Sequence, residues 1–345
     1  MRVLLTGHNG YIGTVMFKML QDAGHEVLGL DTNFFQDCIL GSINHDTNTL
    51  RKDIRDVVVS DLQGYDAIIH LAALSNDPLG DFKKEWTYDI NLHATLRIAE
   101  LARDAGVQRF LYASSCSMYG AGKGDDLLTE DSPLLPITPY AESKVRAEAG
   151  LEKMANNEFS PIFLRNATAY GFSPRLRADI VLNNLTAWAY TTGKVRILSD
   201  GTPWRPIVHI EDISQAFMLS LSAPREVIHN QAFNVGGNSE NYRVRDLADI
   251  VKETVPNSSV EYAGQNSFDP RNYRVDFSKI NKLLPNFKLQ WNARRGAQQL
   301  YKAYNDNHLT KEDFDGRKYI RLNQLKHLIN NDHLDESLRW KKSNN

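Results

Sequence analysis

Residues 2–13 read RVLLTGHNGYIG: an apolar run, then Gly7, Gly10 and Gly13 at G-x-x-G-x-x-G spacing, then the start of a helical pattern. A strand that ends in glycines lets the backbone turn tightly and come close to a pyrophosphate, whose charge then rests on the free N–H groups of the following helix. Tyr11, Ile12, Val15, Met16, Met19 and Leu20 recur at helical spacing, so that helix has one face to bury on a sheet. Glycine triplets taken alone also serve plain turns, and the next strand therefore carries weight. Residues 25–30 read as that strand and deliver Asp31 eighteen positions after Gly13, where a carboxylate can accept both ribose hydroxyls of an adenosine. A 2′-phosphate would meet Asp31 as a like charge, so the pattern favours NAD over NADP. A cap or turn role for Asp31 stays open at this point.

The chain has 345 residues, 42% hydrophobic and 24% charged, an ordinary globular balance with room for two domains. A formal net charge of −2 offers no basic excess for a nucleic-acid backbone. Cys38 and Cys116 form neither a disulfide framework nor a zinc pattern, which fits a reducing cytoplasm. The amino terminus runs straight into the first strand, and no apolar stretch approaches the ~20 residues of a membrane span. A soluble cytoplasmic protein with neither membrane nor nucleic-acid partner is expected.

Residues 2–6, 25–30, 66–72, 109–114 and 161–165 read as strands, with helical patterns between them. Such alternation predicts an α/β fold, a Rossmann-type doubly wound parallel sheet that places ligands at the carboxyl ends of its strands. Residues 1–172 are assigned to an NAD-binding domain, and 173–345 to a smaller carboxy-terminal substrate-binding domain with an extension. Gly193, Gly201, Pro203, Gly236 and Gly237 punctuate the second part. From Asn305 the chain turns polar and charged, with helices expected at 317–330 and 333–340 and a packing or lid role.

Ser115, in ASSCSMYG, follows the 109–114 strand, and Tyr140 and Lys144, in PYAESK, lie four apart on a predicted helix. That spacing puts both side chains on one face, where an ammonium can stabilise a phenolate and reach a cofactor ribose. A free phenol titrates near pH ~10, so a base useful near neutrality needs a downward shift of roughly three units, or about 4 kcal/mol. Ser115 would hold the same substrate oxygen within reach of Tyr140. Alone, Y-x-x-x-K also describes a surface stripe and a serine run describes a turn. Their joint occurrence, in order behind the dinucleotide pattern, selects the catalytic reading.

With GHNGYIG, Asp31, the KDIRD segment, HLAA at 70–73, Asn91, SSCSMYG, YAESK and GTPWRPIVHIEDI at 201–213, the chain resembles the extended short-chain dehydrogenase/reductases. The likeness spans roughly residues 1–300 and is to their nucleotide-sugar epimerase/dehydratase group. It implies NAD as cofactor, a nucleotide-diphosphate sugar as substrate, and hydride transfer at a sugar carbon, commonly C4, with Tyr140 as acid/base. It also implies that Asp53 and Ile54 flank the adenine and that Leu71, Ala72 and Ala73 line the cofactor path. On the substrate side, Arg205 matches an arginine that grips the nucleotide diphosphate, and Asn184 an asparagine that contacts it. Ser75, Asn76 and Ser117 fall beside the hexose, and Thr168 stands where the family usually has asparagine. Asp269, Arg271 and Arg274 fall where the family contacts the nucleoside. Arg271 or Arg274 could offer a fork to phosphate, and surface ion pairing explains them equally well. A homodimer through paired helices that include the one bearing Tyr140 is a further implication. The segment around 204–220 is expected to pack back on the first domain, so His209, Glu211 and Asp212 read as structural and no metal is expected.

Departures from the family narrow the reaction. The 4,6-dehydratases carry Asp and Glu immediately after the Ser/Thr, whereas this chain has Cys116 and Ser117. Members that epimerise at C3 and C5 carry cysteine at the position of Ser117, one place beyond Cys116. What remains is Ser115, Tyr140 and Lys144, which suffice to oxidise and re-reduce one carbon. A nucleotide-sugar 4-epimerase is therefore the leading expectation. An NAD(P)H-dependent reductase of a 4-keto-deoxysugar is the alternative. A non-catalytic dinucleotide sensor is a third possibility, against which the presence of Tyr140 and Lys144 weighs.

Overall fold

In β1 (Arg2–Thr6), Val3 and Leu5 enter one apolar cluster while Leu4 enters another, so this strand is covered on both faces. The computed structural model describes residues 1–43, 48–75, 82–120, 127–262 and 272–341; Asn76, Asp269 and Arg271 lie outside them. After β1, the strands are β2 (Glu26–Asp31), β3 (Thr49–Arg51), β4 (Ala67–His70), β5 (Arg109–Ser115), β6 (Leu127–Leu128) and β7 (Ser160–Asn166). They continue with β8 (Thr168–Tyr170), β9 (Lys194–Ile197), β10 (Trp204–His209), β11 (Gln231–Val235), β12 (Asn241–Arg243), β13 (Ser259–Tyr262) and β14 (Arg274–Val275).

Seven strands form one sheet in the order β11-β7-β5-β4-β1-β2-β3, and every pairing in it is parallel. The expected Rossmann-type order is thus present, with the reversal of direction falling between β1 and β4. There the loops leaving neighbouring strands diverge and open a crevice. The five strands read from sequence are in place; β3 and β11, which lack a continuous apolar run, complete the edges. Helices Gly13–Asp22 and Ile210–Ser222 bury Met16, Phe17, Ile213 and Phe217 on one face. Helices Ala94–Asp104 and Pro139–Glu152 bury Ile98, Ala102, Ala147 and Leu151 on the other.

A separate core collects Leu182, Leu185, Ile207, Leu247, Val251 and Leu300 from the later part of the chain. Its edge is a small sheet in which β10 pairs parallel with β8 and antiparallel with β12, so β10 ties this region to the strand leaving β7. The tail returns to the first part: Leu325, Leu328, Leu334 and Leu338 are buried in the cluster that holds Leu4, Leu30 and Ile54. Of the two tail helices expected, one forms as Arg321–Asn330. The helix expected at 333–340 does not form, and Leu334 instead bridges Trp340. Asp335 takes the N–H groups of Ser337 and Arg339 on its carboxylate, and Leu338 adopts a φ of 57°, both incompatible with helical continuation. Among the described residues, no helix is long and apolar enough to cross a membrane.

His70 closes β4 beneath the crevice. Its ring lies between the hydroxyls of Thr6 at 2.8 Å and Thr95 at 3.0 Å, and it is buried. Burial, with a smaller contribution from the nearby Lys144 charge, pushes its pKa from 6.5 down to about 3. The unfolded chain therefore takes up a proton near pH 6.5 that the native state accepts only near 3, so stability falls as pH drops through that window. Replacing His70 by glutamine removes the titration. Denaturant melts at stepped pH should show a shallower acid limb for His70→Gln than for the parent.

Candidate active site

The crevice is a cavity of about 430 Å³ at the carboxyl ends of β1, β2, β4, β5 and β7. Its floor is the glycine turn. Gly7 has φ +73° and donates its N–H to Leu30 O at 2.8 Å, while a Cβ there would sit 2.8 Å from the Ala72 nitrogen. Gly10 donates to Gly7 O at 3.0 Å, and a Cβ on Gly13 would run into that same carbonyl oxygen. No side chain caps the helix Gly13–Asp22 that follows; Thr14 N–H goes to Gly10 O, and Val15 and Met16 N–H go to Ile12 O, so an anion would meet the glycine turn itself and the positive end of the helix dipole. This cradle fits a dinucleotide diphosphate.

Asp31 lines the cavity and accepts N–H groups from Asn9 at 3.1 Å and Asn33 at 2.7 Å. Both roles left open for it are thus compatible: it organises the turn, and its carboxylate keeps lone pairs for ribose hydroxyls. Asp53 and Ile54 lie further along the same wall, with Asp53 held by Arg55 through two nitrogens at 2.8 and 3.0 Å. Leu71, Ala72 and Ala73 form the opposite wall.

The predicted trio meets above this floor. Thr138 caps the helix Pro139–Glu152 through Ala141 N–H, Pro139 sits in its first turn, and the helix carries Tyr140 and Lys144 into the cavity. Lys144 is buried and donates to Ala113 O at 2.7 Å, with its ammonium 4.6 Å from the Tyr112 ring centroid and 5.7 Å from that of Tyr140. Burial pushes Lys144 from 10.5 down to about 7, and Glu148 opposes that shift. A phenolate or other anion beside it pulls the proton back on. Ser115 ends β5 and lines the cavity, accepting Ser117 N–H at 3.1 Å.

Ser75, Ser117, Thr168 and Arg205 also line the cavity. The Ser117 hydroxyl is buried and has no hydrogen-bond partner, as expected of a group awaiting a ligand. Asn184 and Arg274 are not among the described lining residues: the Asn184 amide donates to Ala178 O, and Arg274 lies over the Trp204 ring. Cys116 is turned away from the cavity, with its sulfur on Arg165 O at 3.1 Å. His209, Glu211 and Asp212 each have structural work. The His209 ring stacks on Trp291 and bonds Gln299, Glu211 accepts the Trp291 indole N–H, and Asp212 takes the backbone N–H groups of Gln290 and Trp291.

Several lining residues escaped the sequence reading: Phe34, Phe35, Asn166, Arg177, Asp179 and Arg321. Arg177 binds Asp179 at 2.9 Å and the Ser75 hydroxyl at 3.0 Å. An R-x-D triplet has no periodic or motif signal, and Arg321 reaches the cavity from the far end of the chain. For these residues the sequence held no local sign.

A family model described as the NAD dependent epimerase/dehydratase family matches residues 3–236. The chain is 28% identical over 300 residues to the UDP-glucuronate 4-epimerase of Thermodesulfobacterium geofontis (strain OPF15), covering 81% of this chain and 89% of that protein. It is 26% identical over 327 residues to the dTDP-D-glucose 4,6-dehydratase of Mus musculus, covering 89% of each. Among solved structures, MoeE5 in complex with UDP-glucuronic acid and NAD is similar, with a TM-score of 0.77 and 26% identity over 89% of this chain and 99% of that one.

Because the Cβ at position 13 would meet backbone rather than a movable side chain, Gly13→Ala should lower stability by about 1–3 kcal/mol. Thermal melts should also show that the variant no longer gains stability from added NAD.

Proposed function

This chain belongs to the NAD dependent epimerase/dehydratase family and uses NAD, and on that premise we propose that it is a nucleotide-sugar epimerase that transiently oxidises one sugar carbon, C4. The observation that carries this reading is the convergence of Ser115, Tyr140 and Lys144 on the cavity that the glycine cradle floors, with no carboxylate at positions 116 and 117.

Tyr140, as phenolate, takes the proton of the sugar hydroxyl. Lys144, fixed to Ala113 O, stabilises that phenolate by charge. Ser115 donates to the same sugar oxygen and keeps it in line with Tyr140. Gly7, Gly10 and Gly13 would hold the diphosphate of NAD, which would supply the acceptor and donor of the hydride. Re-reduction on the opposite face requires the keto-sugar to turn over, while Arg205 retains its diphosphate and Ser75, Ser117 and Thr168 offer hydroxyls to either ring face. The dehydratase relatives bring a second reaction into view. Elimination across C5 and C6 needs an acid and a base beside the sugar. The described carboxylates of the cavity are Asp31, Asp53 and Asp179, and the latter two are held by Arg55 and Arg177. That arrangement favours epimerisation.

Incubating the purified protein with UDP-, dTDP-, GDP- and CDP-hexoses should give, by NMR, one C4 epimer without net consumption of dinucleotide. NADPH oxidation with a keto-sugar, by protein that carries no bound dinucleotide, would identify a reductase instead. Tyr140→Phe should cut kcat by about 10²–10⁴-fold with little change in KM, and Lys144→Met should do likewise. Unaltered turnover in Tyr140→Phe would remove the phenol from the mechanism.

A further inference from the structure

Arg321 opens the helix Arg321–Asn330, well beyond the last residue matched by the family model, yet it lines the cavity beside Tyr11, Phe34 and Phe35. Its residue is 6% exposed, which makes it a buried cation. One nitrogen, Nη2, donates to Arg175 O at 2.9 Å, and the guanidinium lies 4.2 Å from the Phe35 ring centroid. The other, Nη1, is buried with no hydrogen-bond partner. Among the described residues, no carboxylate is ion-paired with it. Asp179, whose field it feels, is bound by Arg177, and Arg175 and Arg177 add like charges nearby. A buried guanidinium with an unused donor and like-charged neighbours is costly until an anion arrives. The helix it starts has no side-chain cap, so its first N–H groups favour an anion at the same end.

The rest of the tail fastens this arginine to the loop that follows Asp31. Gln324 donates to Phe34 O at 3.2 Å, and the Trp340 indole to Thr32 O at 2.7 Å. Arg55, which also holds Asp53, donates to Ser337 O at 2.8 Å and Leu338 O at 3.1 Å. Every one of these fastenings is on the adenosine side of the cavity. Arg205, the arginine assigned to the substrate's diphosphate, comes instead from β10.

We infer that residues 321–340 are a latch on the bound dinucleotide, in which Arg321 contacts the cofactor's diphosphate and the tail's grip on the loop after Asp31 retards its release. This goes beyond the epimerase reading and needs only that the cradle holds NAD. ADP-ribose, which carries the diphosphate but no nicotinamide, tests it without recourse to activity. By calorimetric titration of the full chain, Arg321→Met should bind ADP-ribose about tenfold to a hundredfold more weakly than the parent. Adenosine should bind both equally, and UDP should bind both equally when they are loaded with NAD. The ligand-free melting temperature of Arg321→Met should match or exceed the parent's, because an uncompensated buried charge has gone. Arg321→Gln keeps a donor for Arg175 O and gives the same comparison if the methionine variant does not fold. Unchanged ADP-ribose affinity overturns the latch, and so does an equal loss for adenosine, which marks a merely structural arginine. Weakened UDP binding with ADP-ribose unaffected reassigns the contact to the substrate and overturns it too. A parent chain that binds no ADP-ribose at all would remove the cofactor assignment along with the latch.

Discussion

The closeness with which the turn after β1 approaches the chain leaving β4 governs the cavity. Gly7 stands against the backbone of Ala72, and Gly13 folds back over the carbonyl of Gly7, so neither position has room for a side chain. That closeness sets where the glycine turn and the start of the helix Gly13–Asp22 lie relative to the wall made by Leu71, Ala72 and Ala73. It is possible because strand order reverses between β1 and β4, so their following loops part rather than compete for space. Asp31 is drawn into the same arrangement through Asn9 N–H, which belongs to the glycine turn itself. One backbone constraint therefore positions the diphosphate cradle, the ribose acceptor and the hydrophobic wall together.

Charge is the second organising element. Among the described lining residues, Lys144, Arg177, Arg205 and Arg321 face Asp31, Asp53 and Asp179. Asp53 and Asp179 are already committed to Arg55 and Arg177, so the cavity is short of negative charge. The pKa values of Lys144, at about 7, and Arg321, at about 10, are lowered, and for Arg321 the nearby Arg177 and Arg175 add to the effect. Burial is the main cause in both, and anions entering the cavity offset it. A pocket for NAD and, as proposed, for a nucleotide-diphosphate sugar is matched to that deficit. Lys144 also has a mechanical part, because its bond to Ala113 O ties the helix Pro139–Glu152 to the end of β5, where Ser115 lies.

What the sequence made legible follows from locality. The glycine turn, Asp31 and the Tyr140–Lys144 pair are each contained in a short window whose spacing has a physical meaning, and all of them line the cavity. The five strands read from sequence announce themselves by apolar runs, whereas β3 and β11 take their strand form from neighbours already in place. The tail was legible as polar and as far as one helix, Arg321–Asn330, but not in its last turn or its packing. Its buried leucines are spaced among charged residues, and Asp335 and Leu338 turn the chain where a helical pattern continues. Arg321 and Arg177 owe their place to tertiary folding, which no window of sequence contains. Asn184 and Arg274, placed at the substrate by family correspondence, are not among the described lining residues of the cavity; Asn184 donates to Ala178 O and Arg274 lies over the Trp204 ring.

The latch bears on the choice between an epimerase and a reductase. In an epimerase the hydride that leaves the sugar comes back to it, so the cofactor ends each cycle as it began and has no need to depart. A reductase must release its spent cofactor every turnover, and anything that slows release limits its rate. A tail that buries four leucines against the dinucleotide-binding sheet, and closes over the loop after Asp31, makes departure expensive. On the proposed latch, release leaves Arg321 again without an anion, next to a loop that Gln324 and Trp340 hold through Phe34 O and Thr32 O. Such a device suits chemistry that keeps its cofactor, and it penalises chemistry that exchanges it. Ser115, Tyr140, Lys144 and Arg321 line one cavity: the trio can act on a sugar carbon in an epimerase or a reductase alike, and it is the proposed latch, through the time it would hold the cofactor, that bears on which of the two.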